Sequence, residues 1–248
     1  MAGRNNIAMG KGSFVVGNGN VGGYGSFVTG QGNEVIGVNS SAFGYSNKVT
    51  EERSLTSGVF NEINVIDSVA FGEKNVMNPH SSGSKKLYSL TVGKNNNVTA
   101  THSFVAGYEQ NVAGDHHIVS GGKNIIAEGT TFNAIFGQGH NILGSKSAVF
   151  GTANTSSGIN SAVFGNKNSA YGTFSFIGGE NNTTTEAAIN STIFGHNNTV
   201  TGQHVMCTGG NHTIGGNHAF AQGRDHVISS SAHRAAAFGQ GNKASQPF

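Results

Sequence analysis

Residues 147–172 read Ser-Ala-Val-Phe-Gly-Thr-Ala-Asn-Thr-Ser-Ser-Gly-Ile-Asn-Ser-Ala-Val-Phe-Gly-Asn-Lys-Asn-Ser-Ala-Tyr-Gly. The pentapeptide Ser-Ala-Val-Phe-Gly returns after 14 residues; Asn follows each of these Gly by three residues, and a second Gly follows by seven. Carried outward in both directions, the first Gly becomes an anchor that recurs at Gly3, Gly17, Gly30, Gly44, Gly58, Gly72, Gly93, Gly107, Gly121, Gly137, Gly151, Gly165, Gly179, Gly195, Gly209, Gly223 and Gly239. Of the 16 intervals, 11 are 14 residues long, one is 13, three are 16 and one is 21. Repetition on this scale decides the fold before any local propensity does.

The columns around the anchor have physical reasons. Four before it stands Ser in most repeats (Ser26, Ser40, Ser54, Ser161, Ser191), and two before it a small or β-branched residue (Val28, Ala42, Val163, Cys207). That alternation has period two, the spacing of a strand. A helix would not tolerate a Gly every seven residues. An apolar residue five after the anchor (Val35, Val49, Ile63, Ile142, Val200) marks a second short strand. Two strands joined by two Gly-containing corners make one coil of about 14 residues, with Gly expected to supply the positive φ at each corner. The Asn column three after the anchor is expected at a corner as well, tolerating left-handed φ and forming amide ladders from coil to coil. The prediction is an all-β parallel solenoid of about 17 coils, one repetitive domain over residues 1–248 without an internal linker.

One face of the first strand breaks the expected polarity. One before the anchor stand Phe43, Phe71, Phe136, Phe150, Phe164, Phe194 and Phe238, and three before it Phe14, Phe27, Phe104, Phe176 and Phe220. A strand apolar on both faces is buried on both faces. Left open, this row would exceed the apolar patches that monomers expose. The second strand faces outward with polar residues such as Glu34, Lys48, Glu62, Thr183 and Thr199. One flank therefore calls for a partner and the other for water, which a rotationally symmetric homo-oligomer satisfies, with the seven Phe one before the anchor as its interface.

Composition narrows the function. Charged residues are 10% of the chain and the formal net charge is +2, with no clustered basic stripe for nucleic acid. The single Cys207 excludes an intramolecular disulfide framework. No apolar run approaches membrane-spanning length, no membrane contact is expected, and Met1-Ala2-Gly3-Arg4 leads into polar sequence rather than a signal peptide. Gly17-Asn18-Gly19-Asn20-Val21-Gly22 matches a dinucleotide fingerprint literally but lies inside the repeat, without the strand, helix and acidic residue that binding needs. No nucleophile elbow or phosphate loop is present, and three aspartates are too few for a calcium-binding roll. We expect no catalytic residues, no cofactor and no metal; the 11 His, several of them in the Asn column (His140, His212, His226), read first as polar corner residues.

The repeat Asn-Ser-x-Ala-x-Gly resembles the head repeat of YadA-type trimeric autotransporter adhesins. Asn39-Ser40-Ser41-Ala42-Phe43-Gly44 matches it closely; Asn160-Ser161-Ala162-Val163-Phe164-Gly165 and Asn190-Ser191-Thr192-Ile193-Phe194-Gly195 match with β-branched residues in place of Ala. The resemblance covers essentially the whole chain. It departs from the usual pattern in its Phe before the anchor and its wealth of Asn, a variant associated with anaerobes such as fusobacteria. It implies a left-handed parallel β-roll in each chain and three rolls packed into a homotrimeric head. It further implies an adhesin at the bacterial outer membrane, carried by a stalk and β-barrel outside this sequence. The implied partners are matrix proteins or host cell-surface receptors such as cell-adhesion molecules of the CEACAM class. A trimeric fibre segment of a phage or contractile particle, binding bacterial glycans, is the alternative. A Thr-x-Thr ice-binding face, as at Thr183/Thr185 and Thr199/Thr201, is interrupted by Glu34/Ile36 and Asn141/Leu143.

Binding specificity belongs where the repeat is broken, because insertions loop out of a stack. The 21-residue interval places its extra residues within 76–88, with Pro79, His80, Lys85, Lys86, Leu87 and Tyr88 as candidate ligand-binding residues.

Overall fold

In a computed structural model, which describes residues 1–246, the chain is a parallel β-solenoid of about 17 turns, with no helix among the described residues. It falls into two compact units, Met1–Gly129 with nine turns and Thr130–Phe248 with eight. Each turn carries a long strand ending just past the anchor Gly and a two-residue strand around the apolar position five after it.

In the first unit, long strands such as Phe14–Asn18, Leu55–Val59 and Phe104–Tyr108 pair in parallel and in strict register, anchor on anchor. The 21-residue interval does not disturb this. Gly72 pairs with Gly93 and Val76 with Asn97, while Asn78 and Lys86 still bond to neighbouring turns, so residues 79–85 loop out of an intact ladder. In the second unit, Ala148–Thr152, Ala162–Asn166 and Phe176–Glu180 stack the same way, and the 16-residue interval between Gly179 and Gly195 also keeps register.

Side-chain alternation sets the core. Val15, Val28, Ala42, Val105, Ile135, Val163 and Ile193, all two before an anchor, are fully buried, as are Val35, Ile63, Val98, Ile142 and Ile214, five after one. Each buried Val or Ile contributes about 1.5–3 kcal/mol relative to exposure. The serine column closes one side of this thin core: Ser54 donates its backbone N–H to Oγ of Ser40 (3.0 Å) and its own Oγ–H to the carbonyl of Val65 (2.8 Å).

Two expectations about the corners are corrected. The anchor Gly lies inside the long strand, not at a corner. Gly107 has φ +125°, and a Cβ there would meet the carbonyl oxygen of Gly121 at 1.8 Å, so both backbone angle and space demand glycine. The left-handed corners fall two after and five before the anchor, at residues as varied as Ser46, Lys74, Asn181, Arg53, His102 and Phe174. The second Gly of the repeat has an ordinary φ at positions such as Gly158; it is there because a Cβ would strike the carbonyl of Gly172 at 2.1 Å.

The Asn column, correspondingly, is interior. Asn33, Asn47, Asn61, Asn154, Asn168 and Asn182 are all buried to 1% or less. Oδ1 of Asn33 accepts both the backbone N–H and the side-chain amide of Asn47 at 3.0 Å. Its Nδ2 donates to Oδ1 of Asn20, to the carbonyl of Thr29 and to that of Gly44. The expected amide ladder forms, and it saturates polar groups that a core this narrow cannot expose to water.

Candidate functional site

The outer face of the long strands presents the aromatic row. In the second unit Phe136, Phe150 and Phe164 stack at ring spacings of 5.1 and 5.2 Å, nearly parallel, and the row continues through Phe176 to Phe194 at 5.5 and 5.2 Å. These rings partly cover one another along the sheet, yet Phe150 remains 36% exposed and Phe194 45%. Phe238 sits beside Phe220 at 5.2 Å and is 61% exposed. In the first unit Phe14, Phe27 and the half-buried Phe43 stack at 4.8 and 5.4 Å. Phe71 pairs across the sheet with Ser57 and Val92, and the positions one before the next anchors are Ala106 and Ser120. All seven sequence-predicted interface Phe thus lie on one kind of surface, the outer side of the long strands, and nothing in the single chain covers it.

Where this face lacks a side chain, an aromatic neighbour fills the gap. The ring of Phe194 occupies the space a Cβ on Gly178 would need, at 2.9 Å. At the strand end Tyr108 does the same over Gly122, and His196 over Gly210. These glycines are spacers for rings.

The candidate loop is tied to its unit. His80 donates its backbone N–H to the carbonyl of Ser84 (3.0 Å), and its own carbonyl accepts the backbone N–H of Gly83 (2.8 Å). Nζ of Lys85 meets Oε1 of Glu51 at 2.6 Å, and the Lys85 carbonyl accepts the N–H of Ile66. Of the six candidate residues, Pro79 and His80 are half-buried, Lys85 is exposed but paired, Lys86 and Tyr88 are exposed, and Leu87 is fully buried. The Leu87 side chain packs into the core and offers nothing to a ligand; it fastens the loop.

Sequence reading missed what surrounds this loop. Arg53 makes a bidentate pair with Asp67, Nε to Oδ1 at 2.6 Å and Nη2 to Oδ2 at 2.9 Å, and also meets Glu52 at 3.0 Å. The hydrogen bond from Arg53 holds the Asp67 carboxyl below its ordinary value, with Lys86 adding to the effect. Tyr88, five before its anchor, stacks on His102 (5.1 Å), and His102 on His116 (4.7 Å). The signal was present: those three residues occupy one column of the repeat. The surface is a mixed-charge, aromatic corner.

No protein-family model and no curated protein matches the chain.

Among the described residues no group of three or more His, Cys, Asp or Glu side chains is placed to hold a metal. Cys207 is buried in the core column, and burial pushes its thiol up to about 12, far from reactive thiolate.

Proposed function

We propose that this chain is the non-catalytic head of a trimeric adhesin of the autotransporter type. In this reading three left-handed rolls pack through their aromatic rows, and the head is displayed at the bacterial outer surface to bind a host receptor or matrix protein. The observation that carries the reading is the uncovered row Phe136–Phe194, on strands whose opposite face is already fully buried. Covering the exposed part of each ring would add on the order of 1.5–2 kcal/mol. Repeated over many turns and three chains, that is enough to hold an obligate assembly. The long parallel strands are the kind that bury both faces.

Light scattering after size exclusion tests the assembly. A mass near three times 25.5 kDa, stable to dilution, is expected; a clean monomer would overturn it. Binding is tested by titrating immobilised matrix proteins and cell-adhesion receptor ectodomains with the wild-type chain and with a chain lacking residues 79–85. Register across the insertion is intact, so the shortened chain should fold. Loss of binding in the shortened chain alone assigns the ligand to the loop and the adjoining Arg53–Tyr88 corner.

A further inference from the structure

The amide column differs between the two units. In the first, every turn from Asn6 to Asn124 carries Asn or Gln at this position. In the second, His140, His212 and His226 replace the amide. His212 and His226 occupy successive turns, are buried to 1% or less, and stack at 4.8 Å with their rings 6° from parallel.

Each imidazole imitates the amide it replaces. Nδ1 of His212 accepts the backbone N–H of His226 at 3.1 Å, and Nδ1 of His226 accepts that of Asn242 at 3.2 Å. Nε2 of each lies against a carbonyl of its own long strand, Thr208 at 3.2 Å and Gln222 at 3.0 Å. A backbone N–H can only donate, so Nδ1 must be the bare nitrogen and the proton must sit on Nε2. His140 repeats the arrangement, with Asn154 donating at 3.1 Å and Phe136 accepting.

Imitation holds only for the neutral ring. An amide oxygen does not titrate near neutrality; an imidazole does. A proton on Nδ1 would point N–H at N–H, remove one bond per turn, and set two like charges 4.8 Å apart in a buried column.

We propose that the His212–His226 pair makes residues 205–228 acid-labile, loosening the long strands Met206–Gly210 and Phe220–Arg224 when the rings protonate. The consequence for assembly rests on the trimeric reading, because those strands carry part of the aromatic row; the protonation itself does not.

The surrounding groups do not cancel the effect. Burial lowers His212 most; the Thr208 carbonyl, next in size, raises it, the charge of His226 lowers it again, and Asp225, the one carboxylate whose field raises it, ranks last, so the net direction is down. Of the other titratable groups on adjacent strands, His196 and Arg224 are exposed, Lys243 is exposed, and Cys207 stays a thiol. Burial likewise lowers His140. A histidine held below its ordinary value lends stability that is complete above about pH 6.5 and is lost as pH falls from there through the depressed folded value.

The full-length chain and its H212N/H226N variant, which restores the column's own residue, should be melted at about pH 7.5 and about pH 5.5 and mapped by hydrogen exchange corrected for intrinsic rate. The wild type should lose several degrees of Tm on acidification and gain exchange within 205–228, whereas the variant loses markedly less. His117, buried in the first unit's serine column, reads out in a different peptide. Equal acid slopes in the two proteins would overturn the proposal. Nitrogen-15 spectra of the wild-type histidines decide independently of the variant's folding. Two rings with bare Nδ1 at neutral pH, with His212 titrating below the ordinary value, support it, and titration of His212 at that value refutes it. Light scattering at neutral pH checks the trimer separately, so failure of either reading is visible on its own.

Discussion

Residues 134–196 of the second unit and residues 55–122 of the first have the same interior and different exteriors. Inside, both carry a buried β-branched or small residue two before the anchor and an amide-type column bonded from turn to turn. Outside, the second unit stacks five Phe rings in sequence, while the first sets single rings, Phe71 and Phe104, among Ser57, Leu90, Val92 and Ile118. Folding of the roll therefore depends on what lies inside; in the trimeric reading proposed above, association depends on what lies outside. The two are separable because successive residues of a strand point to opposite faces.

The most damaging test of the shared interior is an anchor. Gly107→Ala in the first unit and Gly151→Ala in the second both force a Cβ to within about 2 Å of the next turn's carbonyl at a φ above +110°. Each should cost about 3 kcal/mol or more. Circular dichroism and soluble yield should show similar losses in the two units; tolerance in one only would mean the interiors are not equivalent.

The exteriors should respond unequally. Phe164→Asp, and likewise Phe150→Asp, sets a charge into the stacked row and should abolish or sharply weaken the oligomer in light scattering while leaving the chain's β-sheet spectrum intact. Ala106→Asp at the matching position of the first unit should shift the mass far less. Equal effects would mean the stretch without a continuous ring stack is as much an interface as the stacked one.

A smaller and again equal effect is expected from the amide column. Asn61→Ala and Asn168→Ala each strip the next turn's Asn of its acceptor and remove the side-chain bond made to two backbone carbonyls. About 2–4 kcal/mol should be lost, felt within neighbouring turns because each repeat contacts only its neighbours. Hydrogen exchange localises it; damage spread over the whole chain would contradict that picture.

The smallest expected effect is a gain. Thr56 and Thr91 occupy the core column of the first unit with buried hydroxyls that find no partner. Thr56→Val and Thr91→Val should each raise stability by about 1 kcal/mol, measured as Tm. A loss would mean those hydroxyls are bonded in solution.

Much of this was legible in the sequence. Period two around a Gly repeating every 14 residues determined strands, parallel stacking and register. It also determined which residues face in, because a one-residue slip would turn Val163 outward and Phe164 inward. The placement of left-handed corners was not legible. Side chains as different as Lys74, Phe174 and His218 occupy them, so composition carries no mark of the angle. Nor was the inward turn of the Asn column legible, since Asn is as common at corners as in ladders and only the stacked backbone shows which bonds it makes. Within the loop, Leu87 was grouped with exposed neighbours by its place in an insertion; burial against the core, a three-dimensional fact, separates it from Lys86 and Tyr88.

By itself the sequence determined a roll of about 17 turns and an apolar row that one chain does not cover. Tertiary structure alone decided where the backbone turns left-handed, which glycines are needed for angle and which for space, and which nitrogen of each column histidine carries the proton. The physical reason is common to all three. Alternation along a strand is a local property written residue by residue, whereas clearances and hydrogen-bond directions belong to the distance between one turn and the next.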